Sequence, residues 1–185
     1  MHRRTLLSAM LAAPALGHAA AEPDVAALLA AGGCVIAFRH ALAPGTFDPP
    51  TFRVDDCSTQ RNLSDEGRAQ ARRIGAWFQA RHLTPARVRS SPWCRCVDTA
   101  ELAFGRAERW DLLGSPQGSS DAVNARRLPG LRAALAAVPV GRFEAWVTHM
   151  FVLSDLAGAG SSSGEGLVLK AGADGAVQVI ARMPG

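Results

Sequence analysis

Two histidines in this sequence stand where a side chain could do chemistry. His2 and His18 fall in the first twenty residues, and His82 ends a helical pattern as part of Arg81-His82, where cations complement the carbonyl end of a helix dipole. His40 and His149 remain, and each closes a short apolar run: Cys34-Val35-Ile36-Ala37-Phe38-Arg39-His40 in one case and Phe143-Glu144-Ala145-Trp146-Val147-Thr148-His149 in the other. Runs this short, the first bounded by Gly32-Gly33 and Pro44-Gly45, read as buried strands. Parallel strands would set both imidazoles on one rim of a sheet, where open α/β sheets bind ligands. Arg39 precedes the first histidine, and Arg95 opens the helical pattern after a third short strand, Val88-Arg89-Ser90-Ser91. Arg39, His40, Arg95 and His149 would converge on one cationic pocket, which fits a phosphate monoester.

The elements that must position these residues alternate. Asp24 to Ala31 reads as a helix ended by Gly32, and Ser64 caps a second helix with Asp65 and Glu66 in its first turn. On that helix Ala71, Ile74, Trp77 and Phe78 share one face, and Arg68, Arg72, Arg73 and Gln79 the other. Pro92 is expected in the first turn of the next helix, which runs to Phe104 with Gly105 at its end. Arg109 to Leu113 reads as a strand, Ala122 to Ala137 as a helix interrupted at Pro129-Gly130, and Met150 to Leu156 as a helix capped by Gly158. Leu167-Val168-Leu169 and Ala176 to Ile180, joined through Asp174-Gly175, form a closing hairpin. The expectation is an α/β three-layer sandwich: a mostly parallel central sheet, helices on both faces and an antiparallel C-terminal hairpin. From Arg39 to Asn62 no periodicity is visible, and a loop of that length in a small domain points to function.

With 185 residues, 48% of them hydrophobic, the chain builds one core and one domain. Residues 1–21 read as an export signal, with Arg3-Arg4, an apolar stretch too short to span a bilayer, and Ala19-Ala20-Ala21 before the expected cleavage. That leaves 22–185 as the domain, in a periplasmic or secreted location and with no membrane span. Loss of Arg3 and Arg4 lowers the formal charge from +4 to +2, which excludes a nucleic-acid-binding balance. Four cysteines in an exported chain imply disulfides. A Cys57–Cys94 bridge would close a loop of about forty residues, a constraint of roughly 4 kcal/mol. Cys34 is either a buried thiol or the partner of Cys96. A zinc site is the rival reading, against which stand the Cys94-x-Cys96 spacing and the lack of a histidine cluster.

Four stretches together resemble the histidine phosphatase superfamily, the branch of phosphohistidine phosphatases, acid phosphatases and phosphoglycerate mutases. They are Phe38-Arg39-His40-Ala41, Leu63 to Ala71, Ser90-Ser91-Pro92-Trp93-Cys94-Arg95 with Thr99-Ala100, and Val147-Thr148-His149. The resemblance implies a phosphoglycerate mutase-like fold, a nucleophilic His40, a phosphate pocket of Arg39, Arg95 and His149, a further phosphate contact from Arg61, and no metal or cofactor. The implied partner is a phosphorylated small molecule or a phosphoprotein. Ala41 departs from the glycine usual after the catalytic histidine. The acid that protonates the leaving group has no recognisable context, with Asp111, Asp121, Glu101 and Glu165 as the candidates. A phosphate or phosphosugar binder without turnover is the alternative on the same fold, and a mutase is a third.

Overall fold

A computed structural model describes residues 24–185; the signal expected at 1–21 lies outside the described residues. Asp24 caps the first helix, α1 (Val25–Ala31), its side chain accepting from the Ala26 N–H. The chain then enters β1 (Cys34–Arg39), follows the long loop, and forms α2 (Asp65–Gln79), β2 (Arg87–Ser90) and α3 (Cys94–Phe104). A two-residue β3 (Glu108–Arg109) leads to a 3-10 turn at Asp111–Leu113, then to α4 (Asp121–Ala136), β4 (Phe143–Thr148), α5 (Met150–Ala157), β5 (Gly166–Ala171) and β6 (Val177–Met183).

The six strands form one sheet in the order β3-β2-β4-β1-β5-β6. β1, β2, β3 and β4 run parallel, and β5 and β6 are antiparallel additions on the β1 side. The fold is the mixed α/β architecture expected, with the hairpin at one edge.

Alternation along the strands divides the core in two. Cys34, Ile36 and Phe38 of β1 join Ala145 and Val147 of β4 beneath Leu29, Ile74, Phe78, Ala100 and Ala103 of the first three helices. Val35, Ala37, Trp146, Leu167 and Leu169 face the other way, under Leu131 and Leu135 of α4 and Val152, Leu153 and Leu156 of α5. A strand buried on both faces must be apolar at every position, which is why β1 is a continuous hydrophobic run.

Three local expectations change. Pro92 does not open α3: Trp93 is the N-cap and the helix begins at Cys94, so the proline sits in the connection that turns away from β2. The Arg109–Leu113 strand is only the two residues of β3, because Trp110 turns the chain into the 3-10 segment. α4 continues through Pro129 instead of breaking there. A proline inside a helix costs about 3 kcal/mol, and burial of Leu131 and Leu135 immediately after it, each at 1% exposure or less, supplies an offset of similar size.

Helix α2 is pressed against the segment that follows β1. A Cβ at Gly67 would lie 2.0 Å from the Leu42 carbonyl oxygen, and one at Gly75 would lie 2.3 Å from that of Ala103 in α3. Helix propensity alone favours alanine at Gly67 by about 1 kcal/mol. Overpacking opposes it, so Gly67→Ala is expected to destabilise the fold by about 1–3 kcal/mol in urea unfolding.

Candidate active site

The parallel arrangement delivers the carboxyl ends of β1, β2 and β4 to one rim. His40 follows β1 directly and its N–H donates to the Thr148 carbonyl at 2.9 Å, so the ends of β1 and β4 are bonded to each other. His149 is the N-cap residue of α5, and Arg95 is the second residue of α3. Arg39, His40, Arg61, Arg95 and His149, the five residues singled out from the sequence, all line one cleft of about 630 Å³. His40, Arg95 and His149 are buried in its floor.

The loop from Ala41 to Asn62 is fixed at both ends. The Ala41 N–H donates to Thr99 Oγ1 (3.0 Å), and that hydroxyl donates to the Arg95 carbonyl (2.6 Å), which ties the segment after His40 to the helix carrying Arg95. Gln70 accepts from the Leu42 N–H (2.9 Å) and donates to the Ser163 carbonyl (2.8 Å). At the far end Cys57 is disulfide-bonded to Cys94. Beside it, Gln60 Oε1 accepts from the Cys94 N–H (2.9 Å), and its amide donates to the carbonyls of Arg53 and Val54. Trp93 has no side-chain cap to offer α3, so Gln60 satisfies one of the helix's orphan donors from the loop. Cys34 and Cys96 are buried free thiols, which corrects the alternative that they pair.

Hydrogen bonds assign the imidazole protons. His40 Nδ1 lies 2.8 Å from the Ala41 carbonyl oxygen. That oxygen can only accept, so Nδ1 carries the proton and Nε2 keeps its lone pair. His149 Nδ1 is 3.4 Å from an Arg95 amino nitrogen, which can only donate, so the His149 proton is on Nε2 and is donated to Ser91 Oγ at 2.8 Å. The two rings meet edge to face, 5.6 Å between centroids.

Both imidazoles are held neutral. Burial, followed by the charges of Arg95, Arg61 and Arg39 and against the Ala41 hydrogen bond, lowers the His40 pKa to about 3. Burial and then Arg95 hold His149 well below the ordinary histidine range. Burial is also the main cause that lowers Arg39 and Arg61, with Arg95 next in each case. Burial pushes the Cys96 thiol, 3.6 Å from His149 Nε2, up to about 12, so it is a neutral wall of the site.

One residue was not foreseen. Asp48 is the carboxylate in the cleft lining, and it accepts from Arg95 (2.8 Å), the Trp93 indole (3.3 Å) and the Arg61 backbone N–H (3.0 Å). It offsets part of the cationic charge and pins the loop over the floor. Its sequence signal was slight: an isolated acid in an aperiodic loop between His40 and Arg61. Asp111, Asp121, Glu101 and Glu165 do not line the cleft. Glu165 is engaged by the Ser162 N–H and by Arg182. Among the described residues no group of His, Cys, Asp and Glu is arranged to hold a metal ion. No helix described is long and apolar enough to cross a membrane.

The family model of the histidine phosphatase superfamily (branch 1) matches residues 53–113, the stretch from the loop through Arg61 and Arg95 to the 3-10 turn. The fold is a histidine phosphatase fold. Among solved structures it is similar to the protein histidine phosphatase SixA complexed with tungstate (TM-score 0.54, 18% identity, covering 81% of this chain and 96% of that one). It is similar also to a SixA phosphohistidine phosphatase structure from Agrobacterium tumefaciens (0.52, 21%, 83% and 99%). A third is the mycobacterial glucosyl-3-phosphoglycerate phosphatase with inorganic phosphate (0.56, 17%, 78% and 93%). No curated protein matches the sequence. The resemblance read from the residues therefore holds, and at these identities the solved structures speak for the histidine phosphatase fold and not for a substrate.

Neutral burial of two histidines has a pH consequence. Unfolded, each takes up a proton below its ordinary value of 6.5, while the folded groups stay neutral to far lower pH. Their contribution to stability is complete above 6.5 and is lost as pH falls towards the folded values. Unfolding free energy should decline between about pH 6.5 and 4.5 with a slope approaching about 2.7 kcal/mol per pH unit from this pair, and His40→Asn should roughly halve it. Denaturant titrations across that range check both, and a flat profile would contradict the burial.

Proposed function

We propose that the chain is an exported phosphomonoesterase that hydrolyses phosphate esters or phosphohistidine through a covalent phosphohistidine on His40. The observation that carries this reading is the meeting of three arginines and two neutral imidazoles on the floor of one cleft. The proton on His40 Nδ1 leaves Nε2 as the nucleophilic nitrogen, free to attack at any pH well above 3.

Attack by Nε2 forms a P–N bond as the ester P–O bond breaks, and the departing oxygen keeps the electron pair and takes a proton from solvent. Water then attacks phosphorus, the P–N bond breaks, and the lone pair returns to Nε2 as phosphate leaves. Such a transition state needs positioning and charge stabilisation above all, and forked guanidinium groups match its equatorial oxygens. Each close cation is worth about 4 kcal/mol of raw Coulomb attraction at an effective dielectric near 20. Arg39, Arg61 and Arg95 supply that charge in this reading, and Asp48 holds Arg95 and the loop in place.

His149 acts as a donor to the phosphoryl group in the same reading. With its proton on Nε2 it would have to change tautomer, and Ser91 allows this: the hydroxyl can accept from Nε2 or rotate to donate to it. Ser91 is thus a positioning residue.

Export is supported by the leader-like residues 1–21 and by the Cys57–Cys94 disulfide, which suits an oxidising compartment. A phosphate binder without turnover is the second reading, favoured by one observation: Asp48, the acid in the lining, is already engaged by three donors.

Turnover of a chromogenic aryl phosphate by the purified chain is the test. His40→Ala should reduce kcat/KM by at least roughly 10³-fold and abolish an alkali-stable phosphoenzyme, and Arg95→Gln should reduce it by roughly 10²–10³-fold. Equal rates for wild type and His40→Ala would refute the nucleophile, and phosphate affinity without turnover would select the binder. Ser91→Ala is expected to lower kcat more than it raises KM, with Ser91→Thr restoring part of the loss, because the hydroxyl and not the side-chain volume supports the tautomer change.

A further inference from the structure

The cleft is divided by chemistry. Its charged lining residues, Arg39, His40, Asp48, Arg61, Arg95 and His149, are buried or half-buried, and every exposed lining residue is uncharged. Among the described residues five large hydrophobic side chains are exposed, and three of them, Phe47 (62%), Met150 (38%) and Phe151 (41%), stand in this one lining. Single exposed apolar residues need no explanation, but several gathered at the mouth of a pocket mark a binding surface.

The placement is built into the chain. Phe47 adjoins Asp48, and Met150 and Phe151 follow His149 in the first turn of α5, so the apolar mouth is covalently next to the polar floor. Pro49 and Pro50 extend it without offering a backbone donor. Phe52 then stacks on Trp93 (5.3 Å between centroids, 17° between planes), and Trp93 meets the His149 ring edge-on at 5.3 Å. An apolar wall therefore runs from the solvent edge to the imidazole. Thr46 and Gln117 are the exposed polar side chains in the lining, which is little for a sugar's hydroxyls and nothing for the charges of an acidic peptide or a polyphosphate.

We infer that the substrate is a phosphate monoester of an apolar alcohol, whose aryl or alkyl part lies against Phe47, Met150 and Phe151 while its phosphate reaches the arginines. This rests on the phosphatase reading and narrows it. The alcohol need not be large: a ring or a chain of about six carbons carries enough apolar surface for a tenfold gain in affinity, about 1.4 kcal/mol, even when only part of it is covered.

Binding of non-hydrolysable phosphonates tests the inference without requiring turnover. Isothermal titration of the full chain with methylphosphonate, 2-hydroxyethylphosphonate, hexylphosphonate and benzylphosphonate should give the last two a Kd at least about tenfold lower than the first two. Their relative strength separates a chain-shaped from a ring-shaped occupant. Phe47→Ala and Phe151→Ala should each shrink the ratio of hexyl to methyl affinity, and circular dichroism verifies that the variants are folded. Equal affinity across the four ligands, or preference for the hydroxyethyl compound, overturns the inference while leaving the phosphatase reading intact. Failure of all four to bind overturns both.

Discussion

Like charges in a small, half-buried space are the constraint around which this molecule is arranged. Arg39, Arg61 and Arg95 each depress or are depressed by a neighbour in the group, and burial removes the water that would otherwise screen them. The fold holds them by tying backbone to backbone nearby and by giving each guanidinium a partial outlet: the Ser161 carbonyl for Arg39, the Ala43 carbonyl for Arg61, and Asp48 for Arg95. One carboxylate among three cations leaves a surplus of positive charge. The same surplus helps burial keep His40 and His149 neutral, so the anion pocket and the activation of the imidazole share a cause.

That arrangement explains the division of labour between sheet and loop. The parallel strands supply position: β1 and β4 are neighbours, and the His40 N–H to Thr148 bond fixes the two histidines relative to one another. The loop supplies the third arginine and the acid. Its backbone has no regular ladder of its own, so side chains from elsewhere take over that task, Thr99 and Gln70 near its start and Gln60 with the Cys57–Cys94 disulfide near its end.

How much of this could be read from residues alone follows the same division. His40 and His149 were legible because each terminates an apolar run, and Arg95 because it stands just after a strand and starts a helix. These are local patterns with a period. Asp48, Phe47 and Phe151 were not legible: the first two lie in an aperiodic loop, and Phe151 reads as an ordinary apolar residue of α5 until the three-dimensional lining is known. Helix α4 passed through Pro129 for a related reason, since the burial that offsets a proline depends on the sheet beneath it, which local propensity does not contain.

The two-ended tethering of the loop has an implication for how such a molecule can diversify. Between Pro44 and Phe52 the backbone rests mainly on Asp48, while the stitches that locate the arginines lie outside that interval. Residues at the tip can be exchanged, lengthened or shortened at small thermodynamic cost, because loop closure entropy grows only slowly with length. Recognition of the alcohol and grip on the phosphate are therefore separately adjustable, and a lineage built on this plan could acquire new substrates without rebuilding its reactive centre.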